Sequence, residues 1–237
     1  MADLGCYEKV VSAVFLRRPN RFIAICELDG REETVHVKNT GRCRELLITG
    51  AKVYLAESDN PARKTKYDLI AVEKVREGKP SLLINVDSQL PNELAEEWLP
   101  RSGIFSEKAN IRREVRYGNS RFDFYIEDGA RKCFLEVKGV TLEKNGAVLF
   151  PDAPTDRGIK HVKELVSCLA EGYEGYLLFV VQMEECSVFR PNMETHPAFG
   201  RALREAEVAG VKLLAMRCRT TPDRLSIESP LPIELPE

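Results

Sequence analysis

The sequence predicts a mixed α/β fold in two domains, a small β-barrel followed by an α/β domain. Short strand patterns rich in β-branched and aromatic residues fill the first 86 residues. From Asp87 onwards helical patterns alternate with strand patterns, as is typical of an α/β domain. The chain has 237 residues, 43% of them hydrophobic, which is enough for one large or two small cores. We therefore place a domain boundary between residues 86 and 87, giving domains 1–86 and 87–237.

Six strands are predicted in the first domain, separated by turn residues such as Asp29-Gly30 and Asn60-Pro61. A short helix is predicted over residues 42–47, between the third and fourth strands. Five or six strands around one short helix indicate a small closed barrel, and a barrel of the oligonucleotide-binding type fits that count. The strands are predicted near residues 10–16, 22–28, 33–37, 52–56, 68–74 and 82–86.

The second domain is predicted to run in the order helix, three strands, helix, strand, helix, strand. Thr155 is expected to cap the second helix and Gly210 to end the third. The nearly continuous apolar run over residues 176–182 is typical of a buried central strand. The helices are predicted at residues 91–99, 155–171 and 198–209, and the strands at 111–117, 121–126, 132–140, 176–182 and 211–216.

Composition limits the location of the protein and the chemistry of any metal site. No apolar stretch is long enough to span a bilayer, and the first nine residues lack the pattern of a secretory signal, so we expect a cytoplasmic protein. The seven cysteines are scattered singly, and the three histidines are not at zinc-ligand spacing. A bound metal is therefore expected to have oxygen ligands. The net charge of -2 argues against a surface coated in basic patches, although the first 86 residues are more basic than the rest.

A predicted β-hairpin carries the clearest chemical pattern in the chain. Its strands alternate between a more apolar and a more polar face, which places Asp123, Glu136 and Lys138 together. A tight turn centred on Gly129 and Ala130 pairs Asp123 directly with Glu136. A turn centred one residue earlier makes the two carboxylates diagonal neighbours, still on one face.

Two carboxylates so close need a neutralising partner, and a magnesium ion would supply it. Directly opposed residues have Cβ atoms roughly 4.5 to 5.5 Å apart. Mg²⁺ prefers carboxylate oxygens and completes its shell with water and substrate phosphate, and Lys138 could hold that phosphate or steady an attacking water. The alternative is the ordinary solvated face of an edge hairpin. The helix and the buried strand that follow favour a covered sheet. Unpaired carboxylates are energetically unfavourable there, which favours the metal-binding interpretation.

Three polar residues of the second predicted helix lie opposite its apolar stripe. They are Arg157, Lys160 and His161. In one interpretation they reach a phosphate lying over Glu136, and in the other they form an ordinary solvated helix face.

Five segments of the chain together form a distinctive set of motifs. They are Asn39-Thr40-Gly41-Arg42, Ser58-Asp59-Asn60, Arg121-Phe122-Asp123-Phe124, Leu135-Glu136-Val137-Lys138-Gly139-Val140-Thr141-Leu142 and Phe150-Pro151-Asp152-Ala153-Pro154-Thr155-Asp156-Arg157-Gly158. These segments resemble the sugar fermentation stimulation protein A family, and the likeness extends over essentially the whole chain. The last two segments are the most specific.

The resemblance implies a barrel of the oligonucleotide-binding type joined to a domain like the PD-(D/E)xK nucleases. Members of the family are described as DNA-binding proteins implicated in regulating sugar metabolism. In the nuclease pattern Asp123 and Glu136 hold the metal, and Lys138 completes the catalytic group. Glu114 is the best candidate for an additional metal ligand from an earlier element. The chain departs from the nuclease pattern in having Phe122 before Asp123 instead of proline.

The resemblance also favours a phosphate-binding rim on the barrel, where loops converge on one side. Tyr54 or Tyr67 would be available for base stacking, and Gly41 permits a turn that other residues resist. Asn39 binds phosphate or the neighbouring domain in this interpretation, and a purely structural corner is the alternative. The basic residues of the predicted rim are Arg17, Arg18, Arg21, Arg42, Arg44, Arg63 and Lys64.

Two functions remain at this point. The first is a DNA-binding protein with a phosphodiester-hydrolysing site that uses Mg²⁺ or Mn²⁺. The second is a non-catalytic DNA-binding transcriptional modulator with a vestigial acidic site, since such folds also serve as binding modules. No helix-turn-helix is evident, so single- or double-stranded DNA would be bound with low sequence specificity. The sequence leaves the oligomeric state open, a homo-oligomer included.

Overall fold

The computed structural model describes residues 5–39 and 41–237, and the chain divides into two compact units. The first break falls between Leu90 and Pro91, just after the predicted boundary. Two later segments also belong to the first unit, which a single boundary along the sequence cannot express. The first unit consists of Met1–Leu90, Gln182–Glu185 and Cys218–Ser226, and the second of Pro91–Val181, Cys186–Arg217 and Ile227–Glu237.

Six strands form the sheet of the first unit, and all six predicted strands are confirmed within a few residues. They are β1 (Val10–Asn20), β2 (Ile23–Leu28), β3 (Arg31–Val37), β4 (Lys52–Glu57), β5 (Tyr67–Arg76) and β6 (Lys79–Asn85). Their order is β3-β2-β1-β4-β5-β6, and β3 also pairs with β5 in parallel, so the sheet closes on itself. Alternate residues such as Val35, Val53 and Leu55 point inward and are fully buried.

The helix predicted over residues 42–47 is wrong, because these residues form turns. The backbone of Cys43 has a φ of 44°, in the left-handed region, which a right-handed helix does not accommodate. The N–H groups of Leu46 and Leu47 both donate to the Cys43 carbonyl, so the segment is a tight turn. Cys43 and Leu46 are each only 2% exposed and anchor the turn to the barrel core.

The rest of the chain forms a six-stranded and a three-stranded sheet with helices between the strands, and most of these residues belong to the second unit. The helices are α1 (Leu90–Trp98), α2 (Asp156–Leu169) and α3 (Pro197–Ala209), with a 3-10 turn at Leu99–Arg101. The strands are β7 (Asn110–Tyr117), β8 (Ser120–Asp128), β9 (Arg131–Val140), β10 (Leu142–Lys144), β11 (Ala147–Phe150), β12 (Glu174–Val181), β13 (Val188–Pro191), β14 (Lys212–Thr221) and β15 (Arg224–Pro230). The sheet orders are β15-β14-β12-β9-β8-β7 and β10-β11-β13. Four of these strands, β10, β11, β13 and β15, are not predicted from the sequence.

Strand β9 lies at the centre of the larger sheet, antiparallel to β8 and parallel to β12. Asp128 pairs with Arg131, so Gly129 and Ala130 are the two central turn residues, the first of the two turns considered above. The backbone pairing between β8 and β9 ends at the pair formed by Phe124 and Leu135. The next residues are Asp123 on β8 and Glu136 on β9. Residues 133–137 are all buried, so both faces of β9 are covered.

Helix α2 begins where the sequence predicts, because Thr155 caps it. The Thr155 hydroxyl accepts a hydrogen bond from the Gly158 N–H at 3.0 Å. Val162, Leu165 and Cys168 form the buried stripe of the helix. With 14 residues, α2 is the longest of the described helices, and none of them is long and apolar enough to cross a membrane.

Replacing Thr155 by alanine tests the cap. The Gly158 N–H loses its partner in Thr155→Ala, so we expect the free energy of unfolding in urea to fall by about 1 kcal/mol. Thr155→Ser keeps the hydroxyl and should unfold at nearly the wild-type midpoint. Equal midpoints for the alanine and serine variants would mean that the cap does not stabilise α2.

Candidate functional site

The structure brings Asp123, Glu136 and Lys138 together on the two adjacent strands β8 and β9. The Nζ atom of Lys138 donates to Oε1 of Glu136 at 2.5 Å. Asp123 joins them from β8, where its Oδ2 accepts a hydrogen bond from the Val137 N–H at 2.7 Å. The Asp123 side chain therefore continues the pairing of the two strands beyond their last backbone ladder residues.

Asp123 is a half-buried carboxylate with two neutral hydrogen-bond donors. In addition to Val137, the side-chain amide of Asn92 donates to its Oδ1 at 2.9 Å. Burial, and after it the nearby charge of Glu136, raise the pKa of Asp123 to about 6, against the lowering effect of the two hydrogen bonds and of the Lys138 charge. The ionised carboxylate thus lacks enough positive charge nearby, which a bound cation would provide.

Glu136 is 2% exposed and yet remains an anion, because two side chains stabilise its charge. Burial alone would raise its pKa, but the hydrogen bond from His161 and the charge of Lys138 outweigh this and bring the pKa below its ordinary value. Both groups contact Oε1. The other oxygen, Oε2, is buried and has no hydrogen-bond partner among residues 5–39 and 41–237.

This donor set fits a hard divalent cation. Buried polar atoms normally have a partner, so the bare Oε2 of Glu136 is a candidate ligand atom, with the Asp123 carboxylate beside it. Within the described part of the chain, no group of three or more His, Cys, Asp or Glu side chains is arranged to hold a metal. Mg²⁺ is commonly bound through one or two carboxylates, with water and substrate phosphate as the remaining ligands.

Glu114, predicted as a further metal ligand, is not part of this group. The pairings on either side of it place it opposite Asp123 in the β7 and β8 register. Its backbone, however, has a φ of 57°, and its carboxylate lies 2.6 Å from the Nε atom of Arg121. Both side chains of this ion pair are largely exposed, so Glu114 is a surface residue of an edge strand.

Of the three polar residues of α2, Arg157 and Lys160 lie on an exposed helix face, which is one of the two predicted positions, whereas His161 does not. His161 is 5% exposed and contacts Glu136, so it does not offer its ring to a nucleic acid. Arg157 is exposed, and its Nε donates to Nε2 of His161 at 3.4 Å. Lys160 is exposed and donates to the Asn119 carbonyl at 3.0 Å.

Three of the arginines predicted for the barrel rim have partners inside the first unit. Arg17 makes two hydrogen bonds of 2.7 Å to Glu32, and Arg63 makes two to the carboxylate of Asp68. Arg18 donates to the backbone carbonyls of Arg21, Asn39, Gly41 and Arg42 and so holds the surrounding loops in place. The guanidinium groups of these three arginines already bind partners within the protein, so they are less available to a phosphate.

Arg18 also explains the position of Asn39. The Asn39 carbonyl accepts from Arg18 at 2.6 Å, and its side-chain Oδ1 accepts from the Gly41 N–H at 2.7 Å. Asn39 therefore shapes the turn, which is the structural corner considered from the sequence.

Other basic side chains of the barrel remain open to a ligand. Arg21, Arg42 and Arg44 line a depression of about 260 Å³ and have no acidic partner in the described residues. Lys64 is exposed at a second depression, of about 500 Å³, whose lining also includes acidic residues. The basic surface that could bind phosphate is therefore concentrated at Arg21, Arg42 and Arg44.

Sequence reasoning missed two residues with a place near these surfaces. One is Asn92, which donates to Asp123 and which no sequence pattern distinguishes from the other polar residues of α1. Phe22, at the start of the second predicted strand, lies just before β2 and is 46% exposed, with the Arg21 guanidinium 5.1 Å from its ring centre. Tyr67, predicted for stacking, is only 7% exposed, and the Tyr54 hydroxyl is bound to Glu73.

The fold and the site define a mixed α/β protein in which a small barrel is joined to an α/β unit with Asp, Glu and Lys on adjacent central strands. Residues 16–81 match the family model described as the SfsA N-terminal OB domain. Residues 89–224 match the model described as the sugar fermentation stimulation protein RE domain. The chain belongs to the sugar fermentation stimulation protein family, and the predicted fold class is confirmed.

Similar proteins cover nearly the whole chain. A sugar fermentation stimulation protein homolog of Desulfitobacterium hafniense is 53% identical, covering 98% of this chain and 99% of its own length. The homolog of Clostridium beijerinckii is 49% identical, with coverages of 93% and 96%. The solved structure described as Pyrococcus furiosus SfsA in complex with Ca²⁺ matches with a TM-score of 0.83 and 28% identity, covering 99% of this chain and all of that one.

The pKa of Asp123 predicts a pH-dependent effect of neutralising it. A pKa of about 6 in the folded chain is above the ordinary value, so the cost of ionisation is absent at low pH and grows as the pH rises through 6. With EDTA present, Asp123→Asn should therefore become more stable than wild type as the pH rises from about 4 to about 7, by on the order of 2 to 3 kcal/mol.

Glu136→Gln is the matched control, because the pKa of Glu136 is lowered instead of raised. Its charge stabilises the fold above the ordinary pKa of the group, so this variant should be less stable than wild type at neutral pH and approach it as the pH falls. Urea unfolding at several pH values measures both differences. Parallel pH trends in the two variants would contradict the electrostatic description of the site.

Proposed function

We propose that this protein binds DNA and hydrolyses its phosphodiester bonds with the help of Mg²⁺ or Mn²⁺. The observation that carries the proposal is the buried Glu136 carboxylate, with Oε1 neutralised and Oε2 bare, next to Asp123 and Lys138. This arrangement corresponds to the Asp and Glu-x-Lys pattern of PD-(D/E)xK nucleases, which the sequence resembles. A family model described as an RE domain matches the same region.

Each of the three side chains has a defined role in this proposal. Asp123 and Glu136 are the protein ligands of the cation. Lys138 is 17% exposed, so its ammonium can face both Glu136 and a phosphate oxygen, and it would orient the attacking water and stabilise negative charge on the phosphate. A divalent cation held there by Asp123 and Glu136 would make a bound water more acidic and would neutralise phosphate charge.

The cation assignment has support from a relative. The Pyrococcus furiosus protein is described as a complex with Ca²⁺. Ca²⁺ and Mg²⁺ both take oxygen ligands, and they differ chiefly in coordination number and in rigidity. We therefore propose a divalent-cation site in this chain, with Mg²⁺ or Mn²⁺ as the cofactor.

The DNA partner is inferred from the barrel. Arg21, Arg42 and Arg44 form a local positive surface at a depression whose described lining contains no acidic residue. Such a surface contacts phosphates, which are the same in every sequence, so we propose binding of low sequence specificity. The scattered, odd-numbered cysteines support a cytoplasmic location, where thiols stay reduced.

The non-catalytic modulator is the second candidate, and one observation favours it. Lys138 and His161 already compensate the charge of Glu136, so the fold does not depend on a cation there. In this function the barrel binds DNA and the acidic site is an internal ion pair of the α/β unit.

A cleavage assay separates the two candidates. Plasmid and single-stranded DNA are incubated with protein and Mg²⁺ or Mn²⁺, and we expect nicking or shortening of the DNA. Lys138→Ala and Asp123→Asn should each reduce the rate by at least about 100-fold, because each removes charge stabilisation at the reacting phosphate.

Lys132→Ala is the control for Lys138→Ala, since Lys132 lies exposed on the same strand away from the site. It should cleave at the wild-type rate. Intact DNA under all conditions, with salt-sensitive binding preserved, would leave only the binding function. Cleavage that persists in Lys138→Ala and Asp123→Asn would point to a contaminating nuclease.

The barrel surface makes a separate prediction about DNA binding. Replacing Arg42 and Arg44 together by alanine should weaken binding and lower the slope of log K against log salt by up to about 2, because each phosphate contact contributes roughly 0.9. Arg17→Ala should change neither by much, since Glu32 already neutralises Arg17. Fluorescence anisotropy at several salt concentrations measures the DNA affinity and its salt slope. If Arg17→Ala reduced them as much as the double replacement of Arg42 and Arg44, these two arginines would not be the phosphate-binding surface.

A further inference from the structure

His161 lies on the buried face of α2, which packs against the strands β8 and β9. Its Nδ1 contacts Oε1 of Glu136, and its ring packs edge-on against Phe122 with 6.4 Å between ring centres. The side chain is almost completely excluded from solvent. A ring held in this way cannot contact DNA, so its polar atoms act inside the protein.

The proton of the His161 ring can be located from its two neighbours. The guanidinium of Arg157 is only a donor, and its Nε lies 3.4 Å from Nε2 of the ring. Nε2 is therefore the accepting nitrogen, and the proton is on Nδ1. His161 consequently donates a hydrogen bond to Glu136.

Two donors from different elements thus meet at one oxygen of Glu136. Lys138 reaches Oε1 from β9, and His161 reaches it from α2. The last torsion of a glutamate side chain is soft, so a single donor does not fix the orientation of the carboxylate. Two donors at Oε1 fix the orientation of the carboxylate. They leave Oε2 as the oxygen without a partner in the described residues.

We infer that His161 is a positioning residue, which holds Glu136 so that Oε2 is presented to a divalent cation, and that Arg157 selects the ring tautomer required for this. The inference rests on the proposed function, because it concerns the same cation. His161 therefore does not bind DNA and acts on the cation site only through its hydrogen bond to Glu136. Outer groups that orient metal ligands commonly affect metal affinity by about 10- to 100-fold.

Metal binding tests this role without reference to cleavage. Isothermal titration calorimetry with Mn²⁺ or Ca²⁺ gives the dissociation constant of the intact protein. His161→Leu fills the space but cannot donate, and we expect its dissociation constant to rise by about 10- to 100-fold. His161→Asn carries an amide that can donate from near the Nδ1 position and should recover most of the affinity.

Leu165→Ala is the control for loss of packing. Leu165 is fully buried on the same face of α2, so its replacement destabilises the fold but keeps both hydrogen-bond donors of Glu136. Its metal affinity should equal that of wild type. Arg157→Ala should weaken binding in the same direction as His161→Leu but less, since the ring can still present the correct tautomer part of the time. Lys163→Ala, exposed on the same helix, should have no effect.

The outcomes distinguish this inference from the proposed function. Wild-type affinity in His161→Leu, or an asparagine variant as weak as the leucine variant, overturns the positioning role and leaves the cation site intact. A loss of affinity in Leu165→Ala as large as in His161→Leu also overturns it. Failure of the wild-type protein to bind either cation overturns the proposed function, and the inference with it.

Discussion

The buried charge of Glu136 is the interaction on which the structure of the second unit depends. A carboxylate at 2% exposure in the middle of a sheet is unfavourable unless donors compensate it. Lys138 supplies one donor from the same strand and His161 another from α2. Removing either donor would leave an incompletely compensated charge in the interior. The packing of α2 on the sheet and the charge state of the site therefore depend on each other.

The two carboxylates of the site differ because their surroundings differ. Glu136 has two cationic or polar donors and a lowered pKa, whereas Asp123 has only neutral donors and a raised one. The pair is therefore unequal before any ligand binds. One carboxylate is a fixed anion of the fold, and the other is an acid whose charge depends on what lies beside it.

Alternation and turn chemistry allowed much of this to be predicted from the sequence. The Gly129-Ala130 turn fixes the register of the hairpin, and the register brings Asp123 next to Glu136. The partners of individual polar residues could not be predicted, because they come from distant parts of the chain. His161 looked like a surface residue of α2, and Glu114 turned away through a backbone conformation that no sequence pattern marks. The short strands β10, β11 and β13 carry too few residues for a periodic pattern.

Basic residues of the barrel show the same limit. Arg17, Arg18 and Arg63 are indistinguishable in the sequence from Arg42 and Arg44, yet the first three have internal partners. Only contacts in space separate an arginine that stabilises a loop from one that is free for a phosphate. A count of basic side chains therefore overstates the binding surface of this barrel.

The first unit is assembled from three stretches of chain, and this affects how the protein is made. Backbone hydrogen bonds join Asn85 to Gln182, Tyr7 to Asp223 and Leu225 to Gly5. During translation the barrel strands leave the ribosome long before these partners, by about ten seconds at usual elongation rates. These backbone hydrogen bonds of the barrel can form only after residues 182–225 have been synthesised.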